Sequence, residues 1–142
     1  MKALKAALVI FFSLLAVNGL HAQMTKDNSK WTFEAKKKSG DKYELIVHVT
    51  LPEKWHIYSL KHGGDVSLYP PAIMFFKNSK TTRVGKVREK GKLISETMDG
   101  IDGIVNMYKG KVDYIQEATI TGNTKLDGTY SYQICNDEKC LP

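Results

Sequence analysis

From residue 31 onward the apolar side chains recur at every second position in short runs, and no window past Val17 carries the period of an amphipathic helix. The clearest run sets Tyr43, Leu45, Val47, Val49 and Leu51 on one face, with Glu44, His48 and Thr50 on the other. Similar runs cover residues 31–35, 55–58, 72–76, 82–87, 107–115, 118–120 and 129–135. Turn-forming clusters separate them, among them Ser39-Gly40-Asp41, Pro52-Glu53-Lys54, Tyr69-Pro70-Pro71 and Asp127-Gly128. About eight strands, each with one face to bury, predict an all-β chain. The expected architecture is an immunoglobulin-like antiparallel β-sandwich, with a small barrel as the alternative.

The amino terminus sets the compartment. Met1-Lys2-Ala3-Leu4-Lys5 is positively charged, residues 7–17 are almost wholly apolar, and residues 18–22 turn more polar and end on Ala22. This is the pattern of a cleavable signal peptide over residues 1–22, too short in its apolar part to span a bilayer. No cysteine lies near the cut to carry a lipid. Residues 23–142 form one domain, since a chain of 142 residues with 42% hydrophobic content fills one core and leaves no room for a second. Cleavage takes away Lys2 and Lys5, so the formal charge falls from +6 to +4. The Lys36-Lys37-Lys38 run and the Lys86, Arg88, Lys90, Lys92 alternation lack interleaved aromatics, and export removes nucleic acid as a partner. They read as solvated strand edges, where lysine also discourages sheet-to-sheet aggregation.

Chemistry is concentrated at the carboxyl end. Cys135 and Cys140 are the only cysteines, and in an exported chain two cysteines five positions apart pair with each other. Closing a loop of about six residues stabilises by only about 2 kcal/mol, so the bond is a weak staple for a domain of this size. A structural and a redox role stand level on these grounds, because exposed short-loop disulfides tend to be the labile ones. A strand ending at Cys135, a four-residue turn and a return strand from Cys140 would set the sulfurs opposite each other at a surface hairpin. Asp137 and Glu138 outnumber Lys139 there, which disfavours a thiolate and predicts a guarded thiol.

Tyr132-Gln133-Ile134-Cys135, the acidic turn and Cys140-Leu141-Pro142 closely resemble the end of the N-terminal periplasmic domain of the DsbD thiol:disulfide interchange proteins. Trp55-His56-Ile57-Tyr58-Ser59, Tyr69-Pro70-Pro71 and Met107-Tyr108-Lys109-Gly110-Lys111-Val112 are similar to further stretches of that domain, so the resemblance spans residues 31–142. It implies an immunoglobulin-like domain that accepts electrons from a thioredoxin-like domain, itself served by a transmembrane partner. The electrons pass on to oxidised periplasmic proteins, such as a disulfide isomerase or cytochrome c maturation proteins. By the same resemblance Cys140 forms the mixed disulfides, Cys135 resolves them, and the exchange needs no bound cofactor.

The family also shields its cysteines with a cap loop. Here the corresponding stretch is residues 96–106, centred on Met98, Asp99, Gly100, Ile101, Asp102 and Gly103, with the glycines as hinges and Ile101 where the family usually has an aromatic. His56, Tyr58 and Tyr132 are the expected flank of the disulfide. Alternation sends Trp55 and Ile57 to the core and His56 and Tyr58 to the other face, where a protonated histidine would stabilise a departing thiolate. A copper or zinc site on His48, His56, His62 and the thiols is the runner-up chemistry, but their spacing is not that of metal ligands, so no metal is expected, and neither a nucleophile elbow nor a phosphate-binding loop is present.

The competing function is a secreted binding module with an inert hairpin disulfide. Pro142 follows Cys140 by two residues, where a sandwich strand would be expected to continue, so the chain is expected to be truncated at that end. The expected location is the periplasm, with a membrane tether if the native chain continues into transmembrane and thioredoxin-like domains.

Overall fold

The structure, a computed structural model, describes residues 26–64 and 67–142, and the signal peptide expected over residues 1–22 lies outside them. The described residues hold nine strands and no helix. They are β1 (Lys30–Ser39), β2 (Lys42–Thr50), β3 (His56–Gly63), β4 (Ala72–Phe75), β5 (Thr81–Met98), β6 (Ile101–Ile120), β7 (Gly128–Ser131), β8 (Ile134–Cys135) and β9 (Cys140–Leu141). All pairings are antiparallel. A seven-stranded sheet runs β1-β2-β6-β3-β8-β9, with β5 along the free side of β6, and β4 and β7 form a separate two-stranded sheet.

The long strand β6 organises the molecule. Its residues 111–119 pair with β2, and farther along the same edge Lys109, Tyr108 and Met107 pair with His56, Ile57 and Tyr58 of β3. The sheet therefore curls, and Val47, Val49, Ile57, Val112, Tyr114 and Ile134 meet in one core. Ile73 and Phe75 of the small sheet pack onto it as the second layer, which makes the fold an immunoglobulin-like β-sandwich. Each fully buried aliphatic side chain here contributes roughly 1.5–3 kcal/mol relative to exposure. The basic stretches lie on β1 and β5, the outer strands beside β2 and β6.

Strand limits differ from the sequence expectation in informative ways. The runs at 107–115 and 118–120 are one strand. Gln116, which breaks the apolar period, is buried, and its Nε2 donates to the carbonyls of Val84 (2.8 Å) and Gly85 (3.3 Å), where β5 bulges away from the ladder. The run at 82–87 continues to Met98, so residues 96–106 form a hairpin end rather than an irregular loop. Met98 pairs with Ile101 and Thr97 with Ile104, leaving Asp102 and Gly103 as a bulge that disrupts the alternation. The run at 129–135 splits between sheets, residues 128–131 pairing with β4 and Ile134 and Cys135 with β3.

Candidate functional site

β8 enters the large sheet through Ile134 and Cys135, which pair with Ile57 and His56 of β3. Ile134 is wholly buried and fixes the depth of its neighbour. The chain then reverses: the Asn136 side-chain oxygen accepts from the backbone N–H groups of Glu138 (3.0 Å) and Lys139 (2.8 Å), and the Asn136 N–H donates to the Lys139 carbonyl (2.9 Å). Cys140 thus returns directly opposite Cys135, and the two are disulfide-bonded with Cα atoms 4.0 Å apart. The turn's own hydrogen bonds already hold the ends together, so the bond adds little to the fold.

The pair is asymmetric. Cys135 is 2% exposed, whereas Cys140 lies on the surface. Cys135 belongs to a small apolar cluster with Tyr58, Val105 and Met107, against which Leu68, Ile94, Met98 and Ile101 pack. Met98 and Ile101 come from the tip of the β5–β6 hairpin, at the two ends of the Asp99-Gly100 turn, while Asp102 and Gly103 form the adjoining bulge. Close approach of the β3 end to this tip requires glycine. At Gly64, with φ +58°, a Cβ would lie 2.9 Å from Val105 Cγ2 and 3.1 Å from Ile101 Cγ2.

His56 and Tyr58 occupy the face opposite Ile57, as alternation requires, but that face is not a surface. The hairpin tip and Leu68 pack on the cluster that holds Tyr58, and His56 is 3% and Tyr58 5% exposed. The two rings meet edge to face with centroids 5.3 Å apart. His56 Nε2 has no hydrogen-bond partner among the described residues. Burial, and then the Lys109 charge, hold the imidazole below its ordinary pKa, against the opposite pull of Asp137 and Glu96. Lys109 and Glu96 are themselves paired at 3.3 Å. Burial likewise pushes the Tyr58 phenol up.

Tyr132, expected to flank the cysteines, is directed elsewhere. Its ring packs on Trp31 at 4.2 Å and stacks with Tyr130 at 6.0 Å, and its hydroxyl donates to Asp27 at 2.6 Å. Partial burial works against ionisation of Asp27, but hydrogen bonds from Tyr132 and Ser29 outweigh it and hold that carboxyl below the usual range. Tyr132 therefore ties the segment before β1 to the sandwich. The histidines are dispersed: His48 sits between Asp113 and Glu34 across the sheet, and no cluster of His, Cys, Asp and Glu among the described residues is disposed to hold a metal.

Sequence reasoning missed Leu68, Ile94, Val105 and Gln133 as neighbours of the disulfide. Val105 was within reach, since it continues the alternation of Met107 outward. Gln133 Oε1 lies 4.0 Å from Cys135 Sγ, and local sequence does not indicate that it turns toward the sulfur. Chemically the site offers one accessible sulfur. Cys140 is the exposed partner of the bond and Cys135 the buried one.

A family model described as the N-terminal domain of the thiol:disulfide interchange protein DsbD matches residues 21–142. Among solved structures, the N-terminal periplasmic domain of ScsB from Proteus mirabilis superposes with a TM-score of 0.60 at 18% identity, over 82% of this chain and 43% of that one. That likeness speaks for the fold, and this chain spans less than half the length of the other. Comparison with curated proteins gives no match. The family match takes in all the strands and the cysteine hairpin they carry, and the chain belongs to the family of DsbD N-terminal domains.

Proposed function

We propose that this domain is a thiol:disulfide exchanger of the periplasm that cycles Cys135 and Cys140 between dithiol and disulfide. A thioredoxin-like donor, served by a transmembrane partner, attacks Cys140 and reduces the pair. The Cys140 thiolate then attacks the disulfide of an oxidised client, such as a disulfide isomerase or a cytochrome c maturation protein, and Cys135 closes the cycle by displacing the reduced client. The observation that carries this reading is the asymmetry of the bond, with Cys140 on the surface and Cys135 at 2% exposure. A structural staple has no use for one open sulfur, whereas an exchanger needs one sulfur for the partner and a second withheld from it.

In this reading Met98, Asp99, Gly100, Ile101, Asp102 and Gly103 act as a cap. Support comes from the packing of Met98 and Ile101 on the cluster that contains Cys135. The cap excludes stray oxidants and thiols until a docked partner displaces it. Titration of the folded domain against glutathione tests the function. Reversible reduction without unfolding, together with a mixed disulfide trapped through Cys140 in Cys135→Ala, is the expected result. A bond that resists reduction until the domain unfolds would mean an inert hairpin staple on a binding module.

A further inference from the structure

The resolving step raises a problem that burial creates. To attack the mixed disulfide, Cys135 must lose its proton, and water reaches a residue at 2% exposure poorly. Desolvation also disfavours a bare thiolate there. A proton acceptor beside Cys135 removes that cost.

His56 stands in that place. It is the register partner of Cys135 across β3 and β8, and directly opposed side chains of an antiparallel pair share one face at neighbouring distance. It is 3% exposed, and its Nε2 is buried without a hydrogen-bond partner among the described residues. A buried unpaired ring nitrogen has a free-energy cost of its own, which a function in proton transfer accounts for. The charged and titratable groups around it come from each neighbouring element: Tyr58 on β3, Lys109 on β6, Glu96 on β5, Asp137 in the β8–β9 turn and Cys135 itself. The burial and the Lys109 charge described above favour the neutral imidazole, which is the form able to accept.

We infer that His56 accepts the proton of the Cys135 thiol as that sulfur resolves the mixed disulfide on Cys140. This rests on the exchange function proposed above. The Cys135 S–H bond breaks toward His56 Nε2 as the Cys135 sulfur bonds to the Cys140 sulfur. The bond between Cys140 and the client breaks, and the client sulfur leaves with its electron pair. The imidazolium then returns its proton to that thiolate or to solvent. The two cysteines are oxidised to the disulfide, and the client disulfide is reduced to two thiols. When a donor thiolate reopens the bond, a proton taken up from solvent passes through His56 to the departing Cys135 sulfur.

The test uses the reduced domain and 5,5′-dithiobis(2-nitrobenzoate), followed by stopped-flow absorbance. The wild-type domain should release a first thionitrobenzoate as Cys140 attacks and a second as Cys135 resolves. His56→Gln should leave the first phase unchanged and slow the second by roughly 10²-fold near neutral pH, its rate now following hydroxide up to the thiol pKa. An unchanged second phase with an unchanged pH profile, in a folded His56→Gln domain, overturns the inference. Absence of any second release from the wild-type domain would instead overturn the exchange function. Should His56→Gln fail to fold, Cys140→Ser with His56 intact decides: thiolate absorbance and imidazole NMR should show His56 and Cys135 titrating as a coupled pair, and independent titrations overturn the inference.

Discussion

Cys135 and Cys140 face each other across the β8–β9 hairpin with Cα atoms 4.0 Å apart, yet only Cys135 is withdrawn from solvent. The covalent bond is symmetric and its surroundings are not. Ile134 anchors one side in the core, and the β5–β6 hairpin tip closes over it, while in the two-residue return strand β9 Leu141 packs on the core and Cys140 stays exposed. The packing therefore distinguishes the two sulfurs, as the proposed exchange requires.

That difference should persist in the dithiol. Limiting iodoacetamide added to the reduced domain is expected to modify Cys140 at least about 10-fold faster than Cys135, as read by peptide mass spectrometry. Equal rates would show that the burial of Cys135 is lost on reduction.

The hairpin tip should govern access. Met98→Ala and Ile101→Ala each remove a half-buried side chain from the cluster around Cys135, at a cost of about 1–2 kcal/mol, below the range for full burial. The rate of reduction by glutathione should rise severalfold in the double variant. A rate that stays at the wild-type value, with the expected loss in urea midpoint, would dismiss the tip as a guard.

Glu89 holds the bulge that follows Tyr58. Its carboxylate accepts from the Leu60 N–H at 2.7 Å and the Ser59 hydroxyl at 2.8 Å. Glu89→Ala should destabilise the domain by about 2–3 kcal/mol, because two donors in a half-buried setting lose a charged acceptor. Glu89→Gln keeps an acceptor oxygen and should cost less. Denaturant unfolding of the two variants checks the order, and a neutral Glu89→Ala would show that water replaces the carboxylate freely.

His48 should give the stability a pH dependence of definite sign. Hydrogen bonds to Asp113 (2.8 Å) and then Glu34 (3.0 Å) raise its pKa above the ordinary value. A raised histidine pKa stabilises fully below the unfolded value and loses that contribution as pH climbs through the folded one. The side chain is 37% exposed, so screening limits the effect to below about 1 kcal/mol. Wild type should exceed His48→Gln in stability by more at about pH 5.5 than at about pH 8.5. His56 works in the opposite sense, since its depressed pKa removes stability as pH falls below the unfolded value. Comparison within the His48 pair cancels that term, and a gap that widens with rising pH would contradict the assignment.

Much of this molecule is written locally. The alternation from Tyr43 to Leu51 dictates β2 because only an extended chain sets those side chains on one face, and it does so whatever they pack against. Two cysteines on either side of a short polar turn are likewise enough to place the disulfide at a hairpin, since Asn136 closes that turn with its own side chain. Tertiary structure decided what covers each face. Tyr58 is buried because a hairpin tip some 40 residues farther along packs on its cluster, and the bulge at Asp102 and Gly103 hides that hairpin from any reading of period. Tyr132 turns toward Trp31 and Asp27 for a similar reason: the chain changes sheets between Ser131 and Ile134, and the run of alternation carries no mark of the switch. Periodicity records which side chains share a face, but whether that face meets water or another layer depends on contacts between segments remote in sequence.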